Sequence, residues 1–160
     1  MKKPENFETV CCPQFHPNNW QEKEKIFRNK LFLKDHVTSI FHIPLNYGWV
    51  MERDMAKIEK AHAKTSDGLV LTDEISPWGA DVYIEVEKEV PKTEMEKISG
   101  TFLTKVFEGP YKNMGIYMEE MKSYVKSKNK EIKKLYFYYT YCPKCAKAYG
   151  KNYIVILVQI

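Results

Sequence analysis

Four cysteines form two pairs near opposite ends of the sequence. Cys142 and Cys145 are separated by two residues, which is the spacing of a zinc knuckle. Cys11 and Cys12 are adjacent, and His16 follows four residues after Cys12. The two pairs can together form a tetrahedral zinc site that ties the N-terminal arm to the hairpin before the last strand, with His16 as a substitute for one cysteine. Ordinary reduced thiols and a redox-active or disulfide pair are the alternatives.

Aromatic residues are abundant, with 11 Tyr, 8 Phe and 3 Trp in 160 residues. Aromatic rings attract cations through their quadrupole, at about 0.5–2 kcal/mol per contact, and they attract flat molecules by dispersion. Core packing is the alternative use of any single ring. The candidate ligand-binding residues are the rings expected to line a cleft, together with one acid: Trp49, Trp78, Tyr83, Glu85, Tyr111, Tyr117, Tyr136, Tyr138 and Tyr153.

Acidic residues near predicted strand ends are candidates for acid–base chemistry: Glu74, Asp81, Glu85 and Glu108. A carboxylate buried among rings has a raised pKa and can act as a general base toward water, whereas an exposed acid at a strand end has no such role. Glu108 is the catalytic candidate because it stands in a Glu-Gly-Pro-Tyr corner. Stabilisation of the following helix dipole would explain the same position. Three scattered histidines are interpreted as structural: His36, His42 and His62.

The apolar pattern predicts the strands and helices that position these groups. A proline-rich arm is followed by a short predicted helix at 20–30 and a strand at 31–43. Helical spacing recurs at 47–63 and 112–127. Further strands are predicted at 69–71, 82–87, 95–107, 135–141 and 152–160. Tyr149-Gly150 leaves little room for a helix after Cys145.

The two halves of the chain resemble each other. Phe41-His42-Ile43-Pro44 and Phe107-Glu108-Gly109-Pro110 each end a predicted strand and open a helix. At the same offset the helical stripes match, as for Val50 and Ile116. The sequence therefore predicts an α+β fold with a duplicated strand–helix–strand–strand repeat, an antiparallel sheet, two helices on one face and a ligand cleft at the pseudo-twofold seam. Coincidence among common residues is the alternative.

The segment Phe107-Glu108-Gly109-Pro110-Tyr111, followed by an amphipathic helix, an aromatic strand and a terminal strand, resembles the GyrI-like small-molecule-binding domain. The resemblance covers roughly Val37 to Ile160. It implies a ligand held in the seam against aromatic rings and one buried acid. Relatives in that family include drug-sensing domains and a subfamily that hydrolyses cyclopropane-bearing alkylators. The acid and proline common around the last strand's Tyr-Ile are absent from Lys151-Asn152-Tyr153-Ile154-Val155, which weakens the expectation of a cationic ligand.

Composition limits the classes of partner. Hydrophobic residues make up 44% and charged residues 29%, with a net charge of +4. There is no continuous basic face for nucleic acid and no apolar stretch of membrane-spanning length. The polar start lacks a signal peptide, so the sequence predicts a cytoplasmic monomer or weak dimer with reduced cysteines. The predicted organisation is an arm and short helix at 1–35 and one domain at 36–160.

The predicted function is the binding of a hydrophobic or aromatic, xenobiotic-type small molecule, as in multidrug binding, with no cofactor other than a structural zinc. The alternative is an enzyme that hydrolyses reactive aromatic compounds, such as cyclopropane-bearing alkylators, with water activated by a carboxylate such as Glu108. A third interpretation is a zinc-stabilised interaction module.

Overall fold

The computed structural model describes residues 12–66 and 68–160, which form an α+β fold with antiparallel strands and three helices. The elements are β1 (Lys23–Ile40), β2 (Ile43–Pro44), α1 (Tyr47–Lys60), β3 (Val70–Ser76), β4 (Gly79–Glu85), β5 (Glu94–Glu108), α2 (Met114–Ser127), β6 (Lys134–Tyr139), α3 (Pro143–Tyr149) and β7 (Tyr153–Gln159). Within those two ranges, no helix is long and apolar enough to cross a lipid bilayer. The chain divides into a central unit, Ile26–Thr101, and a terminal unit, Met1–Lys25 with Phe102–Ile160.

In the central unit the strands follow the order β2-β1-β4-β3, and each neighbouring pair is antiparallel. Side chains alternate between the two faces of a sheet, so Leu33 and Val37 of β1 share one face. On that face Leu33 packs with Ile58 of α1, and Val37 packs with Val50 of α1. The opposite face, which α1 does not cover, is called here the helix-free face of the central unit.

In the terminal unit the strands follow the order β6-β7-β5, again antiparallel. The buried residues of α2 are four positions apart, which keeps them on one side of the helix: Tyr117, Met121 and Val125. They pack on one face of the sheet, against Leu103, Phe107, Phe137, Ile154, Ile156 and Val158. The apolar core of this unit therefore lies between α2 and its three strands.

The corner between β5 and α2 depends on Gly109. Its φ is +145°, a conformation that L side chains rarely adopt. Its N–H donates to the carbonyl of Asn152 at 3.0 Å, and its carbonyl accepts from Nδ2 of Asn152 at 2.9 Å. A Cβ at this position would overlap the hydroxyl oxygen of Tyr117. The glycine of the Glu-Gly-Pro-Tyr segment therefore has a steric explanation.

The helix predicted over residues 20–30 is wrong, because most of this segment belongs to β1. Ile26 is exposed whereas Phe27 is buried, which is the alternation of a strand. The apolar spacing that suggested a helix was weak, and backbone pairing overrides such local preferences. The predicted boundary between residues 35 and 36 falls inside this same strand.

A helix that the sequence analysis did not expect follows Cys142. The N-cap of α3 is Cys142, whose Sγ accepts the backbone N–H of Cys145, and a proline occupies the first helical turn. Gly150, with φ of +69°, ends the helix in the left-handed conformation. The seven residues between these caps are sufficient for two turns.

The buried stripes of α1 and α2 match at an offset one residue longer than the sequence predicted. The buried stripe of α1 consists of Val50, Asp54 and Ile58, and the buried stripe of α2 consists of Tyr117, Met121 and Val125. The predicted counterpart of Val50, Ile116, is 61% exposed. The duplication itself stays a prediction. At the middle of the stripe, an aspartate in α1 stands where α2 has a methionine.

Gly109→Ala is expected to lower the free energy of unfolding by about 1–3 kcal/mol, because alanine must hold a positive φ and displace Tyr117. Urea unfolding followed by far-UV circular dichroism measures this. Gly115→Ala is the matched control: it lies in α2, where a Cβ meets nothing within 4 Å, and alanine should be neutral or stabilising by about 0.5–1 kcal/mol. Equal stability of the two variants would contradict the steric explanation.

Candidate functional site

Two carboxyls, one buried and one half-buried, lie together between α1 and the sheet of the central unit. Asp54 is 0% exposed and stands in the middle of the buried stripe of α1. Asp35 lies on the α1 side of β1, as the alternation of the strand requires. Arg53 joins the two: its Nε donates to Oδ1 of Asp54 at 3.2 Å, and its Nη2 is ion-paired with Oδ2 of Asp35.

The pKa values of these two carboxyls move in opposite directions. Burial, and then hydrogen bonding to Asp35, raises the pKa of Asp54 above its ordinary value of 3.8. Burial alone would raise the pKa of Asp35, but the N–H of His36, Asp54 and Arg53 outweigh it and lower the pKa. Among the described residues, none donates a hydrogen bond to Oδ2 of Asp54. Because the pKa of Asp54 is raised and that of Asp35 is lowered, Asp54 is the carboxyl of the two that takes up a proton first as the pH falls.

The helix-free face of the central unit carries a second polar group. The β1–β4 register places His36 opposite Asp81, and opposed residues of an antiparallel pair point to the same face. Nδ1 of His36 lies 3.1 Å from Oδ1 of Asp81. Nζ of Lys34 lies 3.5 Å from Oδ2 of Asp81 and 3.2 Å from Oε2 of Glu96. The hydrogen bond to Glu96, with the charge of Asp81, raises the pKa of Lys34 above its ordinary value.

The His36–Asp81 pair has the arrangement of a general base oriented by a carboxylate. A carboxylate only accepts, so Nδ1 of His36 carries the hydrogen of this contact, and the lone pair of the neutral imidazole is then on Nε2. The side chain of His36 is 55% exposed, so the ring is open to solvent. Gly79 makes room for it, because a Cβ there would lie 2.6 Å from Cε1 and Nε2 of His36. The ring therefore lies against bare backbone at the start of β4.

Exposed apolar side chains gather beside this pair, in the turn after β1 and the turn between β3 and β4. The N–H of Ser39 donates to the carbonyl of Trp78 at 2.8 Å, and the N–H of His42 donates to the carbonyl of Pro77 at 2.9 Å. Trp78 is 57% exposed, and its ring centroid lies 5.2 Å from that of Phe41. We call this set the apolar end surface: Ile40, Phe41, Ile43, Ile75 and Trp78. Clusters of exposed apolar groups are common at binding surfaces, which makes this set a candidate for one.

The other predicted residues of the central unit do not join the apolar end surface. Trp49 is exposed on α1, with the guanidinium of Arg53 4.6 Å from its ring centroid. Tyr83 is buried on the helix-free face. Glu85 lies on that same face, where one of its oxygens is 2.8 Å from Nζ of Lys30. Of the predicted rings, Trp78 directly precedes Gly79, and Tyr83, two residues after Asp81, is buried on the face that carries the His36–Asp81 pair.

Three predicted tyrosines of the terminal unit lie on the face of its sheet that α2 does not cover: Tyr136, Tyr138 and Tyr153. The sequence left open which face of β6 meets the helix. The segment before β1 packs on this surface, because Phe15 lies 5.9 Å from Tyr138 and 5.3 Å from Tyr153 between ring centroids. Trp20 lies 5.5 Å from Tyr138. These rings therefore pack against residues of the chain itself.

The site residues predicted around the Glu-Gly-Pro-Tyr corner lie in different surroundings in the structure. Tyr117 lies in the core of the terminal unit, stacked on Phe107 with ring centroids 4.9 Å apart. Tyr111 is exposed and 6.1 Å from Tyr139. Glu108 is exposed at the end of β5. The predicted catalytic acid is thus in solvent and not enclosed by rings.

A surface groove of about 740 Å³ runs along the outside of α2. Its lining comes from α2 and one residue of β5: Lys105, Gly115, Ile116, Glu119, Glu120, Ser123, Tyr124 and Ser127. None of the predicted ligand-binding residues lines this groove.

Three cysteines meet in the terminal unit. The Sγ atoms of Cys12, Cys142 and Cys145 lie within 4.8 Å of one another, and Cys145 is buried. Such a group can bind a metal ion. Cys11 lies outside the described residues, and His16 is exposed and not part of the group.

Residues 2–160 match the family model described as bacterial hydrolase. The chain belongs to this family. A hydrolase from Listeria innocua has a similar structure, with a TM-score of 0.60, 10% sequence identity, and coverage of 87% of this chain and 91% of that chain. At this identity the likeness shows a shared fold. No curated protein matches the sequence. The GyrI-like resemblance stays a prediction.

In this bacterial hydrolase family member, sequence reasoning named Asp81 among the candidate acids and interpreted His36 as structural, but it missed the pairing of the two, and it missed Asp54. For Asp54 a signal was present, because an acid four residues from both Val50 and Ile58 must share their buried stripe. For His36 the alternation of its strand gave the face but not the partner. The pairing with Asp81 depends on the β1–β4 register, which joins residues 45 positions apart.

Asp54→Asn is expected to remove a pH dependence of stability. A carboxyl whose pKa is raised by folding stabilises the protein below its ordinary pKa, and that contribution is lost as pH rises from 3.8 toward the folded pKa. Asparagine stays neutral and still donates to Asp35, so the free energy of unfolding should no longer contain this decline. Urea unfolding at a series of pH values measures it, with Glu52→Gln on the exposed side of α1 as control. An unchanged slope would mean that Asp54 is ionised.

Proposed function

We propose that this protein hydrolyses a hydrophobic aromatic small molecule at the apolar end surface of the central unit. The observation that carries the proposal is the His36–Asp81 pair, which directly adjoins Trp78 through Gly79. Membership of the bacterial hydrolase family supports hydrolysis as the reaction class. The GyrI-like resemblance supports a xenobiotic substrate, including reactive compounds such as cyclopropane-bearing alkylators.

In this proposal His36 is the general base. Asp81 accepts the Nδ1 hydrogen and fixes the ring, so Nε2 takes a proton from a water whose oxygen attacks an electrophilic carbon of the substrate. The bond from that carbon to its leaving atom breaks with both electrons going to the leaving atom, which later takes the proton back from His36, so that one water is added overall. The carboxylate then stabilises the imidazolium that forms. Lys34 is a positioning residue: its Nζ, 3.5 Å from Oδ2 of Asp81, orients that carboxylate.

The apolar end surface supplies the binding energy. The exposed rings of Trp78 and Phe41 offer faces and edges for a flat molecule, and aromatic pairs contribute about 0.5–1.5 kcal/mol beyond the burial of their area. Apolar area removed from water adds about 25 cal/mol per Å². The substrate class follows from this surface, which presents apolar groups beside the His36–Asp81 pair.

A second candidate function is sequestration of the same class of compound without turnover. The exposed Trp78–Phe41 pair favours it, because binding to these rings needs no base. Glu108 stays a prediction as an alternative base, and a cleft at a pseudo-twofold seam stays a prediction as the binding site. Binding and product formation must therefore be measured on the same samples.

His36→Gln is expected to lower kcat/KM by about 10²–10⁴-fold, because glutamine keeps a polar side chain but cannot take the proton. Purified protein is incubated with a panel of fluorescent aromatic electrophiles, and mass spectrometry detects the addition of one water. The matched control is His42→Gln, because His42 is similarly exposed and its Nδ1 lies 3.5 Å from Oε2 of Glu74. Full turnover in His36→Gln with loss in Glu108→Gln would move the base to Glu108. Binding without product in the wild type would support sequestration.

Gly79→Ala is expected to lower turnover although it changes no ionisable group. The new Cβ would lie 2.6 Å from the His36 ring and force it away from its position. Substrate affinity, read from fluorescence of the bound compound, should change less than kcat, because Trp78 and Phe41 remain in place. A kcat equal to that of the wild type would show that the position of His36 does not matter.

A further inference from the structure

The three-cysteine group of the terminal unit has a hydrogen-bond pattern that goes beyond proximity. The N–H of Cys12 donates to Sγ of Cys145 at 3.3 Å, and the N–H of Cys142 donates to Sγ of Cys12 at 3.4 Å. The N–H of Cys145 donates to Sγ of Cys142, also at 3.4 Å. Each sulfur thus accepts one backbone N–H from another member of the group. Donors aimed at sulfur stabilise the thiolate, which is the form that binds metals.

Burial makes an uncompensated thiolate group unfavourable. Cys145 is buried, and Cys12 and Cys142 are half-buried. Three thiolates this close would repel one another unless a cation lay between them. A divalent cation bound to the three sulfurs would offset the negative charge of the thiolates and give each sulfur a ligand bond.

We propose that Cys12, Cys142 and Cys145 bind one Zn²⁺ ion. Thiolate sulfurs select zinc among the common divalent ions of cells, and Cys-x-x-Cys is a usual source of two of its ligands. With Zn–S bonds of about 2.3 Å, tetrahedral geometry places the sulfurs about 3.8 Å apart. The observed upper limit of 4.8 Å requires only a small contraction. This site belongs to the terminal unit, so it is independent of the proposed hydrolytic residues.

The zinc site would fix the segment that precedes β1. The carbonyl of Cys12 accepts the hydroxyl of Tyr149 at 2.9 Å, and the N–H of Phe15 donates to the hydroxyl of Tyr141 at 2.8 Å. Tyr141 and Tyr149 stack with centroids 4.6 Å apart. The metal, this tyrosine pair and Phe15 would therefore form one connected set of contacts. These contacts hold the segment that precedes β1 against β6, α3 and β7.

Metal analysis of the purified full chain tests the site. The wild type is expected to contain about one zinc per chain, and Co²⁺ exchanged into it should give thiolate-to-cobalt charge-transfer absorption. Cys12→Ser and Cys145→Ser should each lose the metal. Because Cys145 is buried and its replacement can impair folding, Cys12→Ser, at the edge of the unit, is the decisive variant. Cys11→Ser and His16→Ala report which residue supplies the fourth ligand.

A chain that is folded yet takes up neither Zn²⁺ nor Co²⁺ would overturn the proposal, and so would an intact mass showing disulfides in the isolated protein. The role of the metal in holding the segment has a separate measurement. The chain has 3 Trp residues, so Trp49→Phe with Trp78→Phe leaves Trp20 as the reporter. Chelation should shift its emission to longer wavelength, since Trp20 loses its packing on Tyr138. An unchanged spectrum after verified metal removal would exclude that role.

Discussion

The antiparallel register between β1 and β4 is the constraint on which the central unit depends. Because successive side chains of β1 point to opposite faces, Asp35 faces α1 while His36 faces away from it. The register then decides that His36 meets Asp81 and that Gly79 lies under its ring. A shift of one residue would move every one of these groups to the wrong face. One set of backbone hydrogen bonds therefore specifies both the core and the polar pair.

The two helices solve the same packing problem with different chemistry. In α2 the middle of the buried stripe is Met121, which packs in a cluster of hydrophobic side chains. In α1 it is Asp54, whose Oδ1 accepts from Arg53 and whose burial raises its pKa, which lowers the cost of burying it because the neutral form is favoured. Replacement of buried ionic groups by apolar residues is often neutral or stabilising. The acid in α1 is therefore better explained by a requirement of function or of specificity than by stability.

The sequence predicted the elements whose periodicity was strong and failed where partners were distant. Both long helices and the strands from Val70 onward follow from apolar spacing, and the Glu-Gly-Pro-Tyr corner follows from its glycine. The first half of β1 was missed because its charged residues suit a helix as well as a strand, and α3 because its caps were not recognised. Cys12 was grouped with Cys142 and Cys145 on spacing alone, which the structure supports by proximity. The His36–Asp81 pair required a register that no local pattern contains.

The cysteine group also has a consequence for the unfolded protein. Cys12 and Cys145 are separated by 133 positions, so a bond between them through a metal closes most of the chain into a loop. In the chain-entropy account, closing a loop of this length lowers the conformational entropy of the unfolded ensemble. The loss stabilises the folded state by about 4–5 kcal/mol. Proteases in cells degrade chains that open. The lifetime of this protein would then follow the supply of zinc, even if no zinc atom takes part in its chemistry.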